Sequence, residues 1–340
     1  ANVEMAIKAL KAGAFEFIEK PFNQERLLNF VNRAVENINL KNENNEFKNK
    51  LFYSYELIGD SENIKNIKDK IKKISISESR IFINGPTGSG KELIARKIHK
   101  ESKRQKGPFI IINGALLDIE KYELELFGEE KINGSISYGA LEKSTGGILL
   151  IDEISEIPLE TQSKILRVLI DQKFKRINGD HDISVDVRII CSSSKNIKEE
   201  IELGNFREDL YHRLNVFEIN IEPLKNRISD ISLLVEYFSE KISSNYNLKK
   251  LIIDTNNNYL LNYDWPGNVR ELRNLIERIA ILSPDTAEKI SNIIKESLKT
   301  ADIRSETQEN SLSIPLKEAR ENFEKEYLTT QLKKFNGNIS

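Results

Sequence analysis

The stretch GPTGSGKE, residues 85–92, limits what this chain can fold into more than any other. It follows a short apolar run, RIFIN (80–84), and opens a helix-like stretch, ELIARKIHK. In a strand, glycine loop and helix in that order, backbone N–H groups can turn inward around phosphate. The helix N-terminus adds positive potential there. Gly85, Gly90 and Lys91 fit the G-x-x-x-x-G-K pattern, with Pro86, Thr87, Gly88 and Ser89 as the loop between them. Lys91 would reach the outer phosphates as a point charge. Glu92 stands where a metal-binding Ser or Thr usually follows. Alone, the run also suits a glycine-rich structural turn.

A second element favours the phosphate reading. GGILLIDEI (146–154) is an apolar strand ending in Asp152 and Glu153. Adjacent acids at the end of a buried strand are costly without a task. In a nucleotide site Asp152 would hold Mg2+, directly or through water, and Glu153 would orient the attacking water. The plain alternative is a solvated strand end. With Glu92 in place of a hydroxyl, Asp152 carries more of the Mg2+ burden.

Around these motifs, short β-rich runs alternate with helical ones from 55 to 223. That alternation predicts a mostly parallel α/β sheet with helices on both faces. From 224 to 298 the apolar residues fall at helical spacing. Before the core, 1–40 reads as helix, strand and helix, and 41–54 as a linker. After it, 299–313 is polar and unpatterned, and 314–340 is helical again, with Pro315 placed for a first turn and Gly337 for a stop. A length of 340 residues suits roughly two or three domains.

The net charge of −2 makes the whole molecule no polycation, so a nucleic-acid contact needs a local patch. A single cysteine, Cys191, allows no disulfide within the chain, and His99, His181 and His212 lack metal-ligand spacing. No apolar run approaches the roughly 18 residues of a membrane span, and no signal peptide is visible. The expectation is a soluble cytoplasmic protein without a membrane partner. The chain starts at Ala1 within a helical pattern and is read as a fragment.

GPTGSGKE together with ELFGEEK (125–131), GGILLIDEI, KILRVLIDQKFKRINGD (164–180), VDVRII (185–190), FREDLYHRLNVFEI (206–219) and WPGNVRELRNLIER (265–278) resembles the central ATPase of NtrC-type bacterial regulators. That is an AAA+ domain with a P-loop parallel sheet and a helical lid, associated with sigma-54 RNA polymerase. The resemblance covers about residues 55–298. In that family Lys-Glu commonly follows the glycine loop, so Glu92 fits. Residues 1–40 resemble the last third of a response-regulator receiver, closing at Lys20-Pro21. Residues 314–340 resemble the opening of a Fis-like DNA-binding domain, its dimerisation helix. The order is closest to the NtrX-like branch.

The resemblance implies further roles. ATP and Mg2+ are the implied cofactors. Asn113 matches the residue that pairs with the catalytic Glu and senses the γ-phosphate. Arg207 and Arg213 match arginines that reach a neighbouring subunit's nucleotide. Arg270 matches a nucleotide-sensing lid arginine, and Ile58 and Gly59 match the adenine-side edge. Ser194 occupies a sensor position where the family has asparagine, and its shorter side chain predicts weaker reach and slower hydrolysis. The implied partners are a cognate sensor histidine kinase, DNA, RNA polymerase and further copies of the chain, as a dimer or ring.

One departure bears on the polymerase. Family members carry Gly-Ala-Phe-Thr-Gly-Ala on a loop whose Phe-Thr tip touches sigma-54. Here Lys131 and Gly139 enclose only Ile132, Asn133, Gly134, Ser135, Ile136, Ser137 and Tyr138. The loop is shorter, has no Phe-Thr pair, and weighs against the sigma-54 form of the polymerase. Three readings follow: an ATP-hydrolysing two-component transcriptional regulator, a regulator that binds nucleotide but hydrolyses little or none and acts without sigma-54, and an AAA+ chaperone-type ATPase. The flanking resemblances disfavour the third.

Overall fold

Along β1 (Ile81–Asn84), Ile81 and Ile83 face one side of a sheet and Phe82 the other, and all three are fully buried. This alternation is the period-two signature of a strand covered on both faces. The coordinates are a computed structural model that describes residues 56–116, 121–131, 134–246, 251–282, 286 and 288–298. The receiver-like segment 1–40, the linkers 41–54 and 299–313, and the Fis-like tail 314–340 lie outside the described residues.

Four further strands join β1 in one parallel sheet: β2 (Phe109–Asn113), β5 (Ile148–Asp152), β8 (Arg188–Ser193) and β9 (Phe217–Asn220), in the order β2-β5-β8-β1-β9. Strands β3 (Gly128–Glu130) and β4 (Ile136–Tyr138) form an antiparallel hairpin, as do β6 (Lys173–Phe174) and β7 (Ile183–Ser184). On one face, Ile81, Ile83, Ile148, Leu150, Ile190 and Ile219 meet helices α1 (Glu62–Ile74) and α2 (Lys91–Glu101). Helix α1 does so because Ile64, Ile67, Ile71 and Ile74 recur at three- and four-residue spacing. On the other face, Phe82, Leu149, Ile151, Ile189 and Cys191 meet α5 (Leu159–Asp171) and α7 (Glu208–Leu214), with the short helices α3 (Tyr122–Phe127) and α4 (Ala140–Lys143) beside them. Helix α6 (Ile197–Glu202) follows β8.

A helical layer follows the sheet in sequence. Helices α8 (Ile228–Asn245), α9 (Asn258–Leu261) and α10 (Asn268–Leu282), with a helical stretch over 288–298, enclose their own core. Its centre is Trp265, 1% exposed, whose indole N–H donates to the Leu260 carbonyl at 2.9 Å. The fold is therefore a P-loop parallel sheet with a helical lid, as the sequence predicted. No described helix is long and apolar enough to cross a membrane.

Candidate functional site

The loop 85–90 joins β1 to α2, and two of its glycines have left-handed backbones: Gly88 at φ +77° and Gly90 at φ +110°. Gly88 has a second reason to be glycine. A Cβ there would stand 2.3 Å from the Gly267 carbonyl oxygen, so the lid backbone lies directly on the loop. Lys91 opens α2 with its side chain only 6% exposed. Its ammonium donates to the Gly85 carbonyl at 2.8 Å and lies 3.0 Å from Glu153 Oε1. A cation held at the mouth of a strand–loop–helix turn is suited to phosphate.

Both acids sit where β5 ends, because β5 delivers Asp152 at its last residue. Asp152 accepts from the Ser192 hydroxyl and from Asn113 Nδ2, the latter at 3.2 Å. Burial pushes its carboxyl above the ordinary value, against the pull of the Ser192 bond, with the Glu153 charge adding to the rise. Glu153 turns away in the left-handed region, at φ 52°. For a non-glycine residue this costs about 1 kcal/mol or more, a strain characteristic of functional turns. Burial pushes the Glu153 carboxyl up as well, but the Lys91 ammonium and two donors of Ser194 outweigh it and hold the group below its usual range. The Ser194 N–H and hydroxyl each reach Oε2 at 2.8 Å.

Asn113 is a correction. Its amide does not pair with Glu153; it donates to Asp152 and its carbonyl accepts from the Ala115 N–H at 2.9 Å. Strand register is the cause, since Asn113 lies directly opposite Asp152 in the β2–β5 pair. Glu92 also points elsewhere. Its carboxylate takes the Arg96 guanidinium at 2.7 Å, one helical turn on, and is half exposed. Among the described residues no group of three or more His, Cys, Asp or Glu is placed to hold a metal. One half-buried carboxylate, Asp152, beside a phosphate cradle still fits Mg2+, which is bound by one or two carboxylates together with substrate phosphates.

The lid reaches the loop through its own backbone. The Arg270 N–H donates to the Gly88 carbonyl at 3.2 Å, while the Arg270 side chain is exposed. Asn268 was not singled out by sequence, yet its amide donates to the Thr87 carbonyl at 3.0 Å and accepts from the Leu224 N–H at 2.8 Å. Ile58 packs on the lid core, and Gly59, at φ +140°, lies against Asp230 of α8. Asp230 is fully buried and accepts from the Asp60 and Ser61 N–H groups and the Ser61 hydroxyl, each at 2.7 Å. Sequence reasoning missed Asp230 and Ser192 too; a buried-acid position at the start of a helix was the one available signal for the former.

Lys91, Asp152, Glu153, Asn113 and Ser194 are thus brought together, with the 85–90 loop around them. Arg207 and Arg213 are not joined to that cluster by any hydrogen bond or ion pair among the described residues. Arg207 caps α7 and forks onto Asp209 at 3.0 and 2.7 Å, with a further bond to the Ser163 hydroxyl. Arg213 is exposed on the same helix.

Comparison with known proteins matches residues 57–220 to the sigma-54 interaction domain family and residues 225–310 to the AAA+ ATPase lid domain family. The nitrogen assimilation regulatory protein NtrX of Azorhizobium caulinodans is 44% identical over 347 residues, spanning all of this chain and 76% of that protein. The crystal structure of NtrX from Brucella abortus in complex with ADP is 42% identical with a TM-score of 0.72, covering all of this chain and 77% of that one. The same protein in complex with ATP gives 41% identity and a TM-score of 0.69, covering all of this chain and 76% of that one.

Proposed function

Since the chain belongs to the NtrC-type response regulators with a sigma-54 interaction domain, in their NtrX-like branch, we propose that it is an ATP-binding two-component transcriptional regulator whose core hydrolyses ATP. The observation that carries the reading is the Lys91 ammonium, buried between the Gly85 carbonyl and Glu153 beside the end of β5. The ADP and ATP complexes of Brucella NtrX support nucleotide as the ligand.

In this reading the 85–90 amides and Lys91 hold the phosphates, and Asp152 holds Mg2+. The metal would neutralise charge on the transferring phosphoryl group. Glu153 orients water. Ile58 and Gly59 border the base, and Arg270 senses nucleotide from the lid. Arg207 and Arg213 act on a neighbouring copy's nucleotide in a homo-oligomer, which accords with the exposure of Arg213, the partial exposure of Arg207 and the lack of any described bond from either to the cluster. A receiver-like segment at 1–40 receives the signal of a sensor histidine kinase, and a Fis-like segment at 314–340 belongs to a dimeric DNA-binding domain.

Titration with a fluorescent ATP analogue tests the core of this. Binding is expected in the parent and lost in Lys91→Ala. Glu153→Gln is expected to keep binding and stop turnover. A parent protein that ignores adenine nucleotides would end the proposal.

A second reading is favoured by the β3–β4 hairpin, which closes at once: the Lys131 N–H donates to the Ser135 carbonyl at 2.9 Å. In it, transcription is controlled without the sigma-54 form of the polymerase. Activation at full strength in a purified sigma-54 transcription assay would exclude this reading.

A further inference from the structure

The two oxygens of Glu153 are held by different kinds of donor. Oε1 faces the Lys91 ammonium at 3.0 Å, whereas Oε2 accepts twice from Ser194, from its N–H and its hydroxyl, each at 2.8 Å. The Ser194 hydroxyl, expected from sequence to reach toward nucleotide, is engaged on the carboxylate instead. Its backbone is well anchored. The preceding residue, Ser193, is fully buried, takes the Gly85 N–H on its carbonyl at 3.2 Å, and bonds through its hydroxyl to Ser155 and Lys195. The start of the phosphate loop and the donors of Ser194 are therefore fixed to one strand end.

The two attachments differ in what nucleotide does to them. Lys91 is a point charge, and phosphate oxygens compete with Glu153 for it. Ser194 carries no charge and offers phosphate nothing that it offers the carboxylate less well. The short serine side chain brings its hydroxyl and its own N–H to one acceptor, Glu153 Oε2.

We propose that Ser194 is a positioning residue: it holds Glu153 by Oε2 throughout the nucleotide cycle, while Lys91 is a latch on Oε1 that phosphate releases. This rests on the hydrolytic reading above. Oε1 is then the oxygen freed to accept from water, and the carboxylate meets the water without first searching for its orientation. The serine substitutes for the amide of Asn113, which is engaged on Asp152.

The test uses the full chain and three substitutions. Ser194→Ala removes one of the two bonds and is expected to lower kcat about tenfold, with KM and the affinity for a fluorescent ATP analogue unchanged. Ser194→Thr restores the hydroxyl and is expected to return kcat to within about twofold of the parent. Independently of turnover, the Ser194 amide is expected to exchange with solvent more slowly in the parent than in Glu153→Ala, both without nucleotide and with a non-hydrolysable ATP analogue. A kcat for Ser194→Ala equal to or above the parent's overturns the proposal. So does amide exchange that is equally fast in parent and Glu153→Ala. A parent that binds ATP without turning it over removes the hydrolytic reading, and the exchange comparison then decides alone whether Ser194 holds Glu153.

Discussion

Replacing Asn268 with alanine removes the side-chain tie between the lid and the phosphate loop, and the cost can be worked from its contacts. Asn268 is 2% exposed and has a left-handed backbone at φ 52°. Its carbonyl is the partner of the Leu224 N–H, in a residue with no exposed surface. Stranding that N–H costs about 2 kcal/mol, and losing the bond to the Thr87 carbonyl costs about 1 kcal/mol more. Alanine tolerates the left-handed backbone less well than asparagine, which adds about 1 kcal/mol. The sum is about 4 kcal/mol. Asn268→Gly loses the same bonds without the backbone strain, so it falls about 1 kcal/mol short of alanine. The assay is built in, because the chain has a single tryptophan and Trp265 is the centre of the lid core. Its fluorescence follows lid unfolding in urea. With a slope near 2 kcal/mol per molar, the midpoint should drop by about 2 M in Asn268→Ala. A shift below about 0.5 kcal/mol in the Trp265 transition would refute the claim that Asn268 ties the lid down, and with it the ordering of alanine below glycine.

Other outcomes follow from single contacts. Gly88→Ala is expected to abolish nucleotide binding, since its Cβ would stand 2.3 Å from the Gly267 carbonyl at a backbone of φ +77°; an affinity within about twofold of the parent would contradict the packing. Arg207→Ala is expected to leave nucleotide binding intact and lower turnover by about a thousandfold, and mixing it with Glu153→Gln should restore part of the rate if the arginine acts in trans. Acid unfolding should respond to Glu153. Its carboxyl is depressed in the folded state, so it contributes stability above its unfolded value that is lost as pH falls through the folded one. Glu153→Gln should therefore flatten the acid limb of a stability profile, and an unchanged limb counts against the Lys91 and Ser194 contacts. Cys191 is fully buried with its thiol pushed far up by burial, so a thiol reagent should label it only after unfolding.

Much of the site was legible because its key residues lie at strand ends adjacent to their own motifs. Lys91 follows its loop directly, and Asp152 and Glu153 follow four apolar strand residues, so local pattern was enough. The partner of Asn113 was not legible. It depends on β2 and β5 pairing with Asn113 opposite Asp152, and register between strands 39 residues apart is a tertiary fact. Asn268 was illegible for a similar reason, since its bond to Thr87 spans 181 residues. Within its own segment it reads only as a helix start after Pro266 and Gly267. Ser194 was noticed as a departure, but its bonds to Glu153 were not foreseen. A hydroxyl's direction follows from the turn that ends β8, which composition does not report.

The proposed reading without sigma-54 polymerase turns on the β3–β4 hairpin, where the family resemblance leads one to expect a Phe-Thr tip. Arg176 lies between that hairpin and the next. Its guanidinium, 12% exposed, forks onto both oxygens of Glu142 at 2.8 and 2.6 Å and reaches Glu130 at 2.7 Å. Those bonds hold it charged and above its ordinary value. It also lies over the Tyr138 ring, 5.5 Å from the centroid. The backbone adds a second tie, with Glu130 donating to the Ile177 carbonyl and Ile177 to the Gly128 carbonyl, each at 3.0 Å. Bonds from β3 and α4, with the Tyr138 ring contact from β4, run to the segment after β6, so the two hairpins form one stapled body. A contact loop that works by extending must part from its neighbour, and here parting breaks a three-way ion cluster as well as two backbone bonds. Arg176→Ala should therefore raise protease cleavage within 129–138 several-fold while leaving the Trp265 transition in place. Cleavage at the parent rate would mean that the short turn alone, rather than the staple, keeps the hairpin closed.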